Sequence, residues 1–257
     1  MHAFHAGSAI HVAVLLGVAA ACIGLARSGQ LAAVRGPTDG RRFDHRFANV
    51  ILGVWIVIFL RDLRPDRLAW INSLPLHICD IVGFAAVLAI RYRLHWARAM
   101  LYFWGLSLCS QAFCFPVLRA GPIHFDFWLY WLQHGIIVAA AVYDLVVRGY
   151  RSSWRDWRRM SIALAIYAVA IVPLNVKLQA NYGYLGLVDQ AQRSTVAAMG
   201  PWPDRLPVMY LAACALMAAM ALPWRWKRRG EPAPHAVRAQ PADYLWLDAP
   251  AYLRSVP

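Results

Sequence analysis

Residues 74–90 read Leu-Pro-Leu-His-Ile-Cys-Asp-Ile-Val-Gly-Phe-Ala-Ala-Val-Leu-Ala-Ile, an apolar run with three chemically active side chains near its start. The apolar part is typical of a helix that crosses a bilayer, because about 20 mostly apolar residues span the hydrocarbon core. Ionisable groups at membrane depth are costly and mark functional sites. His77, Cys79 and Asp80 therefore indicate a site as well as a span.

The composition of the whole chain indicates a membrane protein. Of its 257 residues, 60% are hydrophobic and only 15% are charged, whereas soluble domains carry about 25% charged residues. The Pro- and Ala-rich end of the chain lacks an apolar run of that kind. We therefore predict a membrane helical-bundle domain over 1–226 and a disordered, basic cytoplasmic tail over 227–257.

Seven apolar runs predict an all-α, polytopic fold with about seven transmembrane helices. The predicted spans are 8–26, 47–61, 72–90, 99–118, 127–147, 160–178 and 207–226. The second span is the shortest of them.

The Arg and Lys residues predict the orientation of these spans. The connections 27–46, 91–98 and 148–159 hold five, three and five basic residues, whereas 1–7 and 119–126 hold none and one. Because cytoplasmic loops carry the basic excess, we expect the N-terminus outside and the C-terminus in the cytoplasm of a bacterial inner (plasma) membrane. The net charge of +13 then reflects this orientation and not a nucleic-acid partner.

Polar residues from three predicted spans lie at one depth. Cys79 and His134 are each about seven residues, or ~10 Å, from the outer end of their spans, and Gln111 is at a similar distance in its own span. Other polar candidates near the outer side are His77, Asp80, Asn181, Tyr182 and Trp202. We therefore predict a polar pocket in the outer half of the membrane domain.

A thiol and an imidazole in such a pocket suit acyl transfer to or from lipids. A deprotonated Cys79 is a good nucleophile, and His134 can take its proton. The thiolate would attack an ester carbonyl, and a second lipid or water would take the acyl group from the thioester. Simpler roles stay open, since Cys79 can be a packing residue and His134 or Gln111 can form hydrogen bonds between helices.

Several short motifs carry a resemblance to a known family. They are Leu74–Asp80, Tyr102–Gly105 followed by Gln111-Ala112 and Pro116, His134-Gly135, Asn181-Tyr182 and Gly200–Pro203. In this order, over about 72–205, the chain resembles the YwaF-like family of bacterial integral membrane proteins, to which animal transmembrane protein 164 is related. The animal relatives are regarded as Cys/His acyltransferases that build polyunsaturated, ether-linked phospholipids. The resemblance implies Cys79 as nucleophile, His134 as its partner, and membrane phospholipids or lysophospholipids as substrates.

Two other functions remain open at this stage. A metal-dependent membrane lipid hydrolase would need zinc ligands from one set of side chains: His77, Cys79, Asp80, His134, and His11 or His124. A small transporter, proton relay or sensor would use Asp80 and His134. We assign no metal site, no cofactor and no protein partner.

Overall fold

The computed structural model describes residues 4–63, 74–118, 121–187 and 196–230. Seven helical segments follow one another in this part of the chain, which contains no β-strand. They are α1 (Ala9–Arg35), α2 (Pro37–Asp62), α3 (Ile78–Tyr92), a composite of α4 (His95–Met100), a π-helix (Leu101–Cys109) and α5 (Gln111–Cys114), then α6 (Phe125–Val146), α7 (Trp154–Leu178) and α8 (Arg205–Gly230). Two short 3₁₀ turns lie between α7 and α8, at Tyr182–Tyr184 and Ala197–Met199. The predicted all-α class is confirmed.

Five of the described helices, α1, α2, α6, α7 and α8, are long and apolar enough to cross a membrane. The third helix has 15 residues, and the fourth segment changes from α to π along its length. The third helix is therefore shorter than the roughly 20 residues expected of a single straight span, and the fourth segment is not one regular α-helix. The chain is an integral membrane protein by these helices, while seven spans, their orientation and the bacterial inner membrane stay predictions.

The second helix is longer than its predicted span of 47–61, and most of the predicted inner loop 27–46 is helical. Pro37 opens α2, where its missing N–H costs no helical hydrogen bond. Asp44, in the polar first half of α2, is buried and accepts a 2.7 Å hydrogen bond from Nε of Arg148. Hydropathy does not record such a pairing, so the sequence did not predict that the helix begins ten residues before the predicted span.

Small residues allow the helices that carry the site to pack closely. The indole ring of Trp55 in α2 lies against Gly83 of α3, where an added Cβ would overlap the ring. Tyr143 of α6 lies against Gly29 of α1 in the same manner. The absence of side chains at these glycines lets α2 approach α3, and α1 approach α6.

Parts of the predicted tail and of one predicted connection lie outside the described residues. Helix α8 continues through Gly230, into the predicted tail. Residues 231–257 lie outside the described part of the chain, as do 64–73, which include most of the connection between the second and third predicted spans. The disordered tail therefore stays a prediction.

Candidate active site

The third helix begins at Ile78 and not near Asn72, where its predicted span begins. The residue before a proline avoids helical backbone, so Pro75 disfavours a helix that runs through Leu74, and the extended backbone of His77 makes it the N-cap. Cys79 consequently lies in the first turn of α3, and the predicted depth of about seven residues within a helix is wrong. The nucleophile candidate is carried on a helix N-terminus.

Asp80 caps this first turn. One of its carboxylate oxygens, Oδ2, accepts a 3.0 Å hydrogen bond from the main-chain N–H of His77. An acidic side chain at the third helical position satisfies an N–H that has no partner within the helix. The carboxylate that looked unexplained in the sequence therefore has a structural role at the start of α3.

Two tyrosines hold the segment that leads into α3. The hydroxyl of Tyr167 in α7 donates to the carbonyl of Leu76 at 2.8 Å. The hydroxyl of Tyr182 accepts from the N–H of Leu74 at 3.2 Å. Asn175 in turn fixes Tyr182, with hydrogen bonds of 2.9 Å to its main-chain N–H and carbonyl. The position of the first turn of α3 thus depends on α7.

A cavity of about 910 Å³ lies beside this first turn. Its walls come from α2, α3, the π-helix, α5, α6, α7, α8 and the turns between α7 and α8, and most of the lining side chains are apolar. The polar or ionisable lining residues are Arg61, Asp62, His77, Cys79, Asp80, Cys109, Gln111, Tyr130, Gln133, His134, Tyr167, Tyr184 and Tyr210. A mostly apolar cavity of this size with a few convergent polar groups is typical of a small-molecule or lipid site.

Gln133 is one of several polar cavity residues that were not predicted from the sequence, and it is the one that contacts Cys79. Its amide nitrogen Nε2 lies 3.6 Å from Sγ of Cys79 and 3.2 Å from Oδ1 of Asp80. Because a carboxylate accepts but does not donate, the amide NH₂ must face Asp80, and its second N–H is available to the sulfur. The available signal was a polar residue directly beside His134 within a predicted span.

His134 presents one ring nitrogen as a hydrogen-bond acceptor. Its Nδ1 lies 2.8 Å from the main-chain carbonyl of Tyr130. A carbonyl only accepts, so Nδ1 carries the proton and Nε2 of the neutral ring has a lone pair. Cys79 and His134 line the same cavity, and these two described residues form no hydrogen bond with each other.

Two other predicted pocket residues also line the cavity. Gln111 does so, but its amide donates to the carbonyl of Ser107 in its own helical segment at 3.0 Å. The ring of His77 meets the ring of Tyr182 edge-on, with a centroid distance of 5.0 Å. Gln111 therefore has a local partner, and His77 packs on the tyrosine that holds the entry to α3.

Three predicted pocket residues are absent from the described lining: Asn181, Tyr182 and Trp202. Asn181 accepts from the N–H of Gly186 at 3.0 Å, and the indole of Trp202 donates to the carbonyl of Leu185 at 3.1 Å. Leu185 itself lines the cavity. These polar residues brace the turn that closes one side of the cavity.

The π-helix brings the fourth segment to the cavity wall. Side chains near its end donate to carbonyls four residues earlier: Ser107 to Phe103, and Ser110 to Leu106 at 2.6 Å. Such back-bonding is common where helical geometry departs from α, and π segments are frequent at functional sites. The end of this segment supplies Cys109 to the cavity.

The described residues contain no group of three His, Cys, Asp or Glu side chains placed to hold a metal ion. His11, one of the zinc ligands considered, uses both ring nitrogens elsewhere. Its Nδ1 accepts from the N–H of Gly7 at 2.9 Å, and its Nε2 lies 2.9 Å from the carbonyl of Phe113. All five cysteines are free thiols.

The fold and the site define a polytopic helical membrane protein with a thiol, an imidazole and an amide in one apolar-walled cavity. The sequence profile of the TMEM164 family matches residues 5–221, and the chain belongs to this family. The predicted relation to transmembrane protein 164 is confirmed, while the YwaF-like relation stays a prediction. No curated protein and no solved structure matches the chain.

Proposed function

We propose that this protein is a membrane lipid acyltransferase or transacylase, with Cys79 as nucleophile and His134 as general base. The observation that carries the proposal is that both side chains line one apolar-walled cavity, with Nε2 of His134 left as an acceptor. Membership of the TMEM164 family agrees with a membrane-embedded site. The proposed substrates are phospholipids and lysophospholipids, taken from the surrounding bilayer.

The first half-reaction transfers the acyl group to the enzyme. Nε2 of His134 takes the proton of the Cys79 thiol, and the sulfur attacks the ester carbonyl carbon of the donor lipid. The C–S bond forms, the ester C–O bond breaks, and the leaving lysolipid oxygen takes the proton from His134. The product is an acyl-Cys79 thioester and a free lysolipid.

The second half-reaction reverses these bonds on a different lipid. The acceptor hydroxyl gives its proton to His134 and attacks the thioester carbonyl. A new ester C–O bond forms, the C–S bond breaks, and the sulfur regains its proton from His134. The acyl group comes from the donor lipid, so the cycle needs no further reactant. Water as acceptor would make the same site a hydrolase.

The substrate must bring the two groups together. Hydrogen bonds between catalytic groups are often long before substrate binds and tighten in the complex. The apolar walls from α7 and α8, which include Leu164, Val172, Met209 and Ala213, offer a surface for an acyl chain. An acyl chain that enters from the bilayer is already out of water, so its packing against these walls, and not hydrophobic transfer, positions the ester beside Cys79.

The experiment is to incubate the purified protein with a mixed phospholipid and lysophospholipid pool and to record products by mass spectrometry. We expect new acyl species with the unchanged protein and their loss in both Cys79→Ala and His134→Ala. Cys114→Ala is the matched control, since Cys114 is exposed on α5 and absent from the cavity lining. Products that persist without the Cys79 thiol would overturn the proposal.

The alternatives give different results in the same experiment. A metal-dependent hydrolase would release fatty acid and stop with a chelator. A transporter, relay or sensor would change no lipid in any variant.

A further inference from the structure

Gln133 contacts the proposed nucleophile but has no part in the proton transfers described above. We propose that Gln133 is a positioning residue that orients the Cys79 sulfur and supplies a hydrogen-bond donor to its thiolate. This inference rests on the proposed function of Cys79 as nucleophile. It deepens that function by assigning the group that makes the thiolate possible in an apolar cavity.

The amide of Gln133 is anchored before it meets the sulfur. Oδ1 of Asp80 lies 3.2 Å from Nε2, while Oδ2 of the same carboxylate accepts from the N–H of His77. The first turn of α3 therefore fixes the carboxylate, and the carboxylate fixes the amide. The remaining N–H points to Sγ of Cys79, at 3.6 Å from the nitrogen. The contact shortens when the sulfur becomes an anion, since hydrogen bonds to charged acceptors are shorter.

A thiolate at this place needs such a donor. Most of the cavity wall is apolar, and a buried charge without partners is costly. The neighbouring Asp80 carboxylate also repels a second negative charge. The N-terminus of α3 favours an anion at Cys79, and the amide of Gln133 lies between the sulfur and the carboxylate. A neutral donor fits both neighbours, whereas a glutamate could not donate to either.

The donor and the base are neighbours in the chain. Gln133 and His134 are consecutive residues of α6, so one helical turn carries the group that holds the sulfur and the group that takes its proton. The main-chain carbonyl of Tyr130 holds the imidazole from the preceding turn of the same helix. A rigid turn of α6 thus sets both partners of Cys79.

The test measures the reactivity of the Cys79 thiol, which does not need acyl transfer. The full-length protein in liposomes reacts with iodoacetamide over a pH series, and mass spectrometry quantifies the alkylated Cys79 peptide. The titratable side chains that share the cavity include Asp80, Cys109, Tyr130, His134, Tyr167 and Tyr184. All of them are retained in the variants compared, so a change can be assigned to the amide.

We expect Gln133→Met, which keeps the side-chain length but removes the donor, to slow alkylation at neutral pH about tenfold, as the loss of one hydrogen bond to a charged group predicts. The midpoint of the rate against pH should move upward. Gln133→Asn, which retains the amide donor on a shorter side chain and adds no titratable group, should recover part of both changes. Gln111→Met removes a second amide from the cavity wall that does not contact Cys79, and its midpoint should equal that of the unchanged protein.

A purely structural Gln133 would lower the melting temperature of Gln133→Met and leave the alkylation midpoint in place, which would overturn the inference. The same measurement separates the two proposals. A shifted midpoint in a protein without acyl transfer would retain the positioning role and reject the proposed function. Acyl transfer with an unshifted midpoint would reject the positioning role alone.

Discussion

The two ends of the bundle hold buried carboxylates in different ways. At the Arg-rich end, where α2, α4 and α6 meet, Asp44 and Asp144 are 3% and 2% exposed, and each faces a guanidinium. Nε of Arg98 lies 3.0 and 2.9 Å from the two oxygens of Asp144. At the cavity end, Asp80 is 8% exposed, and no described Arg, Lys or His forms an ion pair with it.

This difference distinguishes buried carboxylates that stabilise the fold from a carboxylate that lies beside the candidate catalytic thiol. A paired buried charge fixes two elements in one arrangement, and removing one partner is strongly destabilising. Among the described residues, Asp80 instead accepts from two neutral donors, the N–H of His77 and the amide of Gln133. The described arginine of the cavity wall, Arg61, pairs with Asp62 and Asp126 instead. Asp80 is therefore held beside the Cys79 thiol by hydrogen bonds from neutral donors.

The largest effect on stability is expected at the Arg-rich end. Arg148→Met leaves Asp44 buried without its guanidinium, and we expect a loss of about 3–5 kcal/mol in the free energy of unfolding. Denaturant unfolding in detergent measures it. The double variant Asp44→Asn with Arg148→Met should recover part of the loss, since no unpaired charge remains. A single variant as stable as the unchanged protein would show that the pair does not hold this end.

The next effect is expected behind the cavity. Asn175 is 1% exposed and satisfies both main-chain groups of Tyr182. Asn175→Leu leaves that N–H and carbonyl without partners, and we expect a loss of about 1–3 kcal/mol. Because Tyr182 also holds Leu74, the alkylation rate of Cys79 should change as well. Unfolding and alkylation are measured on the same sample, and a stability loss without a change at Cys79 would disconnect α7 from the site.

A smaller effect is expected at the cap of α3. Asp80→Asn retains one acceptor oxygen and loses the other, so it can serve the N–H of His77 or the amide of Gln133 but not both. We expect a loss of about 1 kcal/mol, the usual size of a helix-cap contribution. Acyl transfer should fall but persist. The relay or sensor alternative predicts a different result. The unchanged protein would then turn over no lipid, and Asp80→Asn would abolish its relay or sensor function.

The smallest effect on stability is expected at Cys79 itself. Cys79→Ser should change the free energy of unfolding by no more than about 0.5 kcal/mol, because the hydroxyl accepts the same amide hydrogen bond. Lipid product should nevertheless fall below detection. A variant that is as stable as the unchanged protein but inactive would sharpen the contrast between the two ends, and a strongly destabilised one would assign Cys79 a packing role.

The seven apolar runs of the sequence correspond in number to the seven described helical segments, but two of these segments begin elsewhere than predicted. Hydropathy follows the apolar half of α2, and its polar half is helical because Asp44 pairs with Arg148, more than a hundred residues away in the chain. The start of α3 was placed too early because the apolar run includes Pro75 and Leu76, which precede the N-cap His77.

The candidate site was predictable in part. Cys79 and His134 were found from chemistry, depth and resemblance, and they do share one cavity. Gln133 was missed because its partners lie on another helix, and only packing shows that its amide meets Cys79 while that of Gln111 turns back to Ser107. Two glutamines of similar depth have the same sequence signal.

The most direct measurement is the detection of the acyl-enzyme. The protein is incubated with a donor phospholipid and no acceptor, and is then digested. Mass spectrometry measures the mass of the Cys79 peptide before and after treatment with neutral hydroxylamine, which cleaves thioesters. We expect an acyl group on Cys79 that hydroxylamine removes and that His134→Ala fails to form. Lipid turnover without acyl-Cys79, or with the acyl group on another cysteine, would contradict the assignment of Cys79 as the nucleophile.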